Sequence, residues 1–177
     1  TGHSGAMTIR AAEVNANGHH ASLFSAMHQA IADTVEGQHL DISAQNSLSE
    51  HDYEKIAALK SGPLIQLTLS LPLLLAGYDK HIGAANTALA QFAVAYQILD
   101  DLDDWQQDLH RGQLNMVNLV ASKSSNKEAI FVARSRAQYL LKQCQKTLAL
   151  MPRQCAASMI ETAVAMQQKA NSLPVDE

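Results

Sequence analysis

The sequence predicts an all-α protein, built as a helical bundle. Helix-favouring Ala, Leu, Gln and Met are abundant among its 177 residues, and only four Pro and eight Gly interrupt them. Apolar residues recur at intervals of three and four along several long stretches, which is the periodicity of helices that bury one face. A chain of this length is most simply one domain with a single substantial core. Residues 1–6 precede Met7 and resemble an expression-vector remnant, so we assign residues 7–177 to one helical domain.

The periodicity and the helix-boundary signals place the helices. Ser49, with Asp52 three residues later, is typical of a capped helix start. Gly112 and two nearby asparagines indicate a loop after the third long apolar stretch, and Pro152 is suited to a first helical turn. The predicted helices cover residues 22–45, a segment that begins after Ser49, and residues 84–108, 117–121, 127–150 and 152–173.

Charge and apolar content exclude two classes of partner. The formal net charge of −4 gives no basis for a nucleic-acid-binding surface. The longest apolar run, residues 63–77, is interrupted by polar residues and by Pro72, so it is too short and too polar to span a bilayer. We therefore expect a cytoplasmic protein.

Cysteines and histidines offer no metal site of their own. Cys144 and Cys155 lie eleven residues apart and form no CxxC pair, which favours buried thiols in a reducing compartment over a disulfide. The eight histidines are scattered and form no HExxH motif.

Aspartates concentrate at the end of the predicted helix 84–108. Five of the nine residues from Asp100 to Asp108 are aspartates. On a helix, four of them and Gln97 fall on one stripe about 100° wide, whereas Asp103 points elsewhere. Each like-charged i,i+4 pair costs about 0.2–0.5 kcal/mol, and the C-terminal end of a helix further disfavours negative charge.

Two interpretations of this stripe remain open from the residues alone. One is a solvated acidic face, the usual role of a charge run. The other is a cation site, which is favoured because apolar residues precede the stripe and no Lys or Arg interleaves it; oxygen ligands of this kind suit Mg²⁺. An EF-hand loop is excluded because its glycine and its terminal glutamate are missing.

Lys60 and Gly37 are two other unusual residues within predicted helices. Lys60 falls on an apolar stripe, where a lysine either extends its ammonium group to solvent or meets an anion. Gly37 costs up to about 1 kcal/mol relative to Ala within a helix, which points to close helix packing or to room for a ligand. Pro63 predicts a distortion near residues 59–62.

Three motifs, in order, resemble those of the trans-isoprenyl diphosphate synthases (the polyprenyl synthetase family). Residues 96–104, Tyr-Gln-Ile-Leu-Asp-Asp-Leu-Asp-Asp, resemble the second aspartate-rich motif, an aromatic residue and a Gln followed after two residues by DDxxD. Gly37-Gln38-His39-Leu40-Asp41 resembles the family's GQxxD, and Lys60-Ser61-Gly62 resembles its Lys-Thr-Gly. The resemblance covers roughly residues 24–108 and implies the isoprenoid synthase fold.

The resemblance also implies a function, a magnesium-dependent prenyltransferase that binds isoprenyl diphosphates. Metal binding would then belong to Asp100, Asp101 and Asp104. Lys60 would add positive charge to the diphosphate leaving group, and Gln97 would present a negative dipole to the allylic cation.

Four further residues take supporting roles by the same resemblance. The backbone carbonyl near Ser61 would present a second negative dipole to the allylic cation. Gln38 and Asp41 would orient Lys60 or the waters of the metal. Arg111 is the nearest candidate for a basic contact to phosphate.

One family motif has no counterpart in the sequence. The family carries an earlier aspartate-rich motif well upstream of GQxxD, whereas the only carboxylates before Gly37 are Glu13, Asp33 and Glu36. About half of the usual chain is missing, so we expect an incomplete bundle. Either the chain is a truncated or C-terminal form of a synthase, or it is a short non-catalytic paralogue that serves as partner or regulatory subunit of a prenyl synthase. A terpene cyclase is a third, less favoured possibility.

An incomplete bundle should expose apolar surface where the missing helices would pack. Large exposed apolar patches rarely persist in solution. We therefore expect a homo-oligomer, most simply a dimer, or a complementing N-terminal half.

Overall fold

Six α-helices and two short 3₁₀ turns make up the part of the chain that the computed structural model describes, residues 19–44 and 48–172, and no β-strand occurs there. The predicted all-α fold is therefore confirmed. The vector-like residues 1–6, Gln45 at the predicted end of the first helix, and the end of the last predicted helix at Leu173 lie outside the described residues. The helices are α1 (His19–Ser43), α2 (Glu50–Leu75), α3 (Ile82–Arg111), α4 (Met116–Ala121), α5 (Asn126–Leu148) and α6 (Ala157–Ser172).

Helix α3 forms the centre of the bundle. It packs against α2 on one side and against α5 on the other, with further contacts to α4 and α6. Its small residues Ala85, Ala88 and Ala95 are fully buried and let the neighbouring helices approach closely, and Ile98 and Leu99 continue this core towards the aspartates. The aspartate-rich segment is thus the continuation of the most buried helix.

Helix α2, which packs against α3, has a capped start and runs without a break. Ser49 and Asp52 form the predicted capping box, in which the Asp52 N–H donates to Ser49 Oγ at 3.1 Å. The helix runs without interruption through Pro63 and Pro72 to Leu75. The predicted distortion near residues 59–62 does not end the helix, and the presentation of a carbonyl there stays a prediction.

Gly37 allows α1 to lie directly on the backbone of α2. A Cβ atom on Gly37 would come within 2.5 Å of the carbonyl carbon of Leu59 and 2.6 Å of the Cα atom of Lys60. Such distances are far inside van der Waals contact. Of the two explanations for this glycine, close helix packing is the one that the structure supports.

The outer face of α1 is apolar and largely exposed. Of its apolar residues at helical spacing, Ala30 is buried, but Met27, Ile31 and Val35 are exposed, Val35 by 64 %. Among the described helices, α1 packs mainly on α2, so nothing there covers its other side. An apolar stripe on a helix edge of the bundle follows, as the sequence led us to expect.

The chain after α3 corrects two sequence predictions. Gln154 has a left-handed φ of +54°, so Pro152 opens a 3₁₀ turn rather than the last helix, which begins at Ala157. Cys144 is buried, and burial raises the pKa of its thiol to about 12. Cys155 is exposed, however, because it lies in that same turn, so the prediction of two buried thiols is wrong for this residue.

One described helix, α2, is long and apolar enough to cross a membrane on length and composition alone. Its Tyr53, Ala57, Leu69 and Leu73 belong to the hydrophobic core, and it is packed between α1 and α3. Only 28 % of its most apolar window is buried. Helix α2 thus places one face in the core, and the described residues leave its other face uncovered.

Candidate functional site

A polar pocket of about 450 Å³ lies where the C-terminal end of α3 meets α1, α2 and the 112–114 connection. Its volume is in the range of small-molecule sites. All of the predicted site residues except Gln38 and Ser61 line it. The lining residues are Asp41, Ile42, Ala44, Lys60, Gln97, Asp100, Asp101, Asp104, Asp108, Arg111, Gly112, Gln113 and Leu114.

Lys60 reaches the pocket from α2 and is held by Asp41 of α1. The Lys60 ammonium donates to Asp41 Oδ2 at 2.8 Å, and the two side chains are 23 % and 25 % exposed. The close approach of α1 at Gly37, one turn before Asp41, brings these helices within reach of each other. Lys60 therefore meets an anion at the pocket rather than extending to open solvent. Gln38, by contrast, is exposed and does not line the pocket.

Three aspartates follow one another at i,i+4 spacing along the pocket side of α3. Asp100 and Asp104 are exposed, and Asp108 is partly buried. Asp103 lies outside this row, and its Oδ2 accepts from the Lys169 ammonium of α6 at 2.6 Å. The prediction that Asp103 points away from the other aspartates is confirmed.

Asp101 lies in a different environment from its neighbours. It is only 4 % exposed, and its Oδ2 accepts from the Met116 N–H at 2.6 Å while Oδ1 lies 3.4 Å from Gln97 Nε2. Burial raises the pKa of this carboxyl to about 6, against the lowering effect of the Met116 N–H and of Tyr53. The Tyr53 hydroxyl faces the same carboxyl, although its geometry falls short of a hydrogen bond. Asp101 thus makes most of its contacts inside the protein.

Asn115 connects α3 to α4 and was not among the predicted site residues. Its amide is 1 % exposed. Nδ2 donates to the Asp101 carbonyl oxygen at 3.0 Å and to Asp108 Oδ2 at 2.9 Å, and Oδ1 accepts from the Val117 N–H at 2.9 Å as the N-cap of α4. A sequence signal was present, because an Asn directly before an apolar run is a typical N-cap.

Gly112 ends α3 directly after the aspartates. It has a left-handed φ of +64°, and the next N–H, that of Gln113, donates to the Asp108 carbonyl oxygen at 2.9 Å. The chain therefore turns at Gly112 and returns over the pocket, which places Gln113 and Leu114 on its rim.

The pocket is strongly negative. Among the described residues, five aspartates and two cationic side chains, Lys60 and Arg111, line it. Among the described residues, no three His, Cys, Asp or Glu side chains converge closely enough to enclose a metal ion. The carboxylate oxygens of the described residues therefore line the pocket without enclosing a metal position.

Comparison with known proteins identifies the family to which the chain belongs. A family model described as Polyprenyl synthetase matches residues 3–113, which is more than half of the chain. The chain belongs to the polyprenyl synthetase family. The match ends at Gln113, so the family relationship covers α1, α2 and the aspartate row of α3.

A solved structure shows the same fold. The chain is similar to geranylgeranyl pyrophosphate synthetase from the archaeon Geoglobus acetivorans, with a TM-score of 0.74 and 22 % sequence identity over 84 % of this chain. It spans 57 % of the length of that protein. No curated protein matches the chain closely enough to add a relative. The likeness establishes the isoprenoid synthase fold for this polyprenyl synthetase family member.

Proposed function

We propose that this chain is a magnesium-dependent prenyltransferase, an isoprenyl diphosphate synthase or a truncated form of one, which binds an allylic diphosphate in the aspartate pocket. The observation that carries the proposal is the charge of the pocket, in which Lys60 and Arg111 face an excess of three negative charges. A diphosphate alone would be repelled by such a site. A diphosphate that arrives with divalent cations would find both its metal ligands and a lysine for its phosphate oxygens.

The donor set fits Mg²⁺. The pocket side of α3 offers carboxylate oxygens and no sulfur or imidazole ligand, and Mg²⁺ is bound through one or two carboxylates together with water and phosphate oxygens. Water and diphosphate oxygens would fill the remaining positions around the metal. When bound, the metal supplies Lewis-acid stabilisation of the diphosphate leaving group.

The protein's own groups then bind and orient the substrate. Asp100 and Asp104 would hold the metal–diphosphate complex at the mouth of the pocket. Lys60 donates to a phosphate oxygen and exchanges part of its contact with Asp41 for this stronger anion. Arg111 approaches from the opposite end of the aspartate row.

Two dipoles would stabilise the allylic cation after the diphosphate departs. The Gln97 amide lies one turn before Asp101, on the pocket side of α3. The carbonyl near Ser61 would be the second, although Ser61 does not line the pocket in this structure. Apolar helix faces next to the site would exclude water from the cation.

A second candidate function is supported by the exposed face of α1. Phe24, Ile31, Val35 and Ile42 are each more than half exposed along one helix. Such a face favours a second copy of this chain, a complementing N-terminal half, or a full-length synthase to which this chain is a non-catalytic subunit. Val35→Glu should convert an oligomer to a monomer in sedimentation velocity, whereas a wild-type chain that is monomeric at high concentration would contradict this role.

A thermal-shift experiment tests the proposed catalytic site. Mg²⁺ and inorganic diphosphate together should raise the melting temperature by more than the sum of their separate effects. A ligand at a hundredfold excess over its Kd adds about 2.7 kcal/mol, equivalent to about 5–10 °C for a chain of this size. The double variant Asp100→Asn, Asp104→Asn should lose the shift without losing stability, because it relieves i,i+4 repulsion. Asp103→Asn is the matched control and should keep the shift. No joint effect of the two ligands would identify a merely solvated acidic face.

A further inference from the structure

The aspartates of the pocket have unequal roles. We infer that Asp108, and not Asp101, completes the row of carboxylates that faces the metal–diphosphate ligand, and that Asn115 is the positioning residue that holds Asp108 there. This assignment rests on the proposed function and names the residues through which it would act. It also replaces the ligand set that the DDxxD motif implies.

Asp101 lines the pocket, but its carboxylate is engaged by contacts inside the protein. One oxygen accepts a 2.6 Å bond from the Met116 N–H, which is the first N–H of α4, and the side chain is 4 % exposed. The Asp101 backbone carbonyl is occupied as well, by the Asn115 amide at 3.0 Å. A cation at Asp101 would have to compete with the contact that fastens the start of α4 to α3. We therefore assign Asp101 to the junction of these helices.

Asp108 differs from Asp101 in being only partly buried. It lies one helical turn beyond Asp104 on the same side of α3 and lines the pocket. Its Oδ2 accepts from Asn115 Nδ2 at 2.9 Å, which leaves Oδ1 for a ligand. The row of carboxylates along the pocket is therefore Asp100, Asp104 and Asp108, with a full turn between neighbours.

Asn115 fixes the Asp108 carboxylate in this orientation. The Asn115 amide is 1 % exposed and uses both its nitrogen and its oxygen, the oxygen accepting from the Val117 N–H at 2.9 Å. Because its orientation is set by α3 and α4 together, the bond to Asp108 restricts the rotamer of that carboxylate. Partners that orient a ligating carboxylate in this way typically change metal affinity by about 10–100-fold.

Calorimetric titration of inorganic diphosphate in the presence of Mg²⁺ into the whole chain tests the assignment. Asp108→Asn should weaken the joint binding by about tenfold or more. Asp101→Asn should leave it within about threefold, because an amide oxygen can still accept the Met116 N–H. Asp103→Asn is the control on the far side of α3 and should not change the binding.

A second variant separates positioning from mere stability. Asn115→Ser keeps a hydroxyl for capping α4 but loses the donor to Asp108. It should weaken the joint binding by about tenfold. If Asn115 were only structural, the melting temperature would fall while the binding constant of the folded protein stayed the same, and this result would overturn its positioning role.

The remaining outcomes are distinct. Joint binding that survives Asp108→Asn but is lost in Asp101→Asn overturns the assignment while leaving the proposed function intact. A wild-type chain that does not bind Mg²⁺ and diphosphate jointly contradicts the proposed function itself. If Asp108→Asn does not fold, the titrations of Asp101→Asn and Asn115→Ser decide the assignment.

Discussion

Replacement of Gly37 by alanine tests the connection between helix packing and the site. The added Cβ would lie 2.5 Å from the Leu59 carbonyl carbon and 2.6 Å from Lys60 Cα, about 1 Å inside normal contact. Both obstacles are backbone atoms, so no side chain can rotate away and α1 must move off α2. Overpacking of this kind costs about 1–3 kcal/mol or more, whereas the better helix propensity of alanine returns up to about 1 kcal/mol. We expect a net destabilisation of about 2 kcal/mol.

Thermal unfolding followed by circular dichroism measures this effect. For a chain of this size, about 2 kcal/mol lowers the melting temperature by about 4–8 °C. The shift of α1 should also separate Asp41 from Lys60 and weaken the joint binding of Mg²⁺ and diphosphate. Gly83→Ala is the matched control, because no atom lies within 4 Å of its Cβ position, and it should be neutral or slightly stabilising. A Gly37→Ala chain as stable as the wild type would refute the reasoning.

Three further predictions follow from individual contacts. Ser49→Ala removes the capping-box acceptor of the Asp52 N–H and should cost about 1 kcal/mol in urea unfolding; no loss would show that the cap is dispensable. The pKa of the Asp101 carboxyl is raised from 3.8 to about 6, so the folded state binds this proton more tightly than the unfolded chain does. The free energy of unfolding should therefore increase as the pH falls from about 6 to 4, by up to about 3 kcal/mol. Asp101→Asn should remove that rise and be the more stable protein at pH 7.5; equal pH profiles would contradict the burial argument. Lys169→Ala should change stability by less than about 1 kcal/mol and leave ligand binding unchanged, because its ion pair with Asp103 is half-exposed; a loss of binding would implicate α6 in the site.

The sequence predicted the parts of the fold that depend on local interactions. Three features follow from residue spacing within a single helix in each case. They are the Ser49–Asp52 capping box of α2, the short helix α4 that ends at Ala121, and the outward direction of Asp103 on α3. The predicted start of a helix was wrong where a single backbone angle decides it. The left-handed Gln154 moved the start of the last helix to Ala157, and nothing in the residue itself signals that angle.

The division of the aspartates could not be predicted in the same way. Asp100 and Asp101 are neighbours on one helical stripe, and their different exposure depends on what packs across from them. The contact that buries Asp101 comes from Met116, fifteen residues later, and from Tyr53 on α2. Side-chain periodicity contains no information on such long-range partners, so the motif alone assigned both aspartates the same role.

The exposure of α1 is another property that the sequence determined only in part. The apolar spacing of Met27, Ile31 and Val35 predicted a face that is covered by protein, and the face exists. None of the described residues covers this face. Periodicity locates such a face but does not supply the partner that covers it.

The most direct test of the central claim is whether Mg²⁺ and diphosphate bind to the wild-type chain as a pair. Calorimetric titration of inorganic diphosphate with and without Mg²⁺, and of Mg²⁺ with and without diphosphate, gives two coupling factors that must be equal at equilibrium. If the aspartate row and Lys60 form one site, Mg²⁺ should strengthen diphosphate binding at least tenfold, and Lys60→Ala should weaken the joint complex. Diphosphate binding that is absent or independent of Mg²⁺, and unaffected by Lys60→Ala, would contradict the claim that this pocket binds a metal–diphosphate complex.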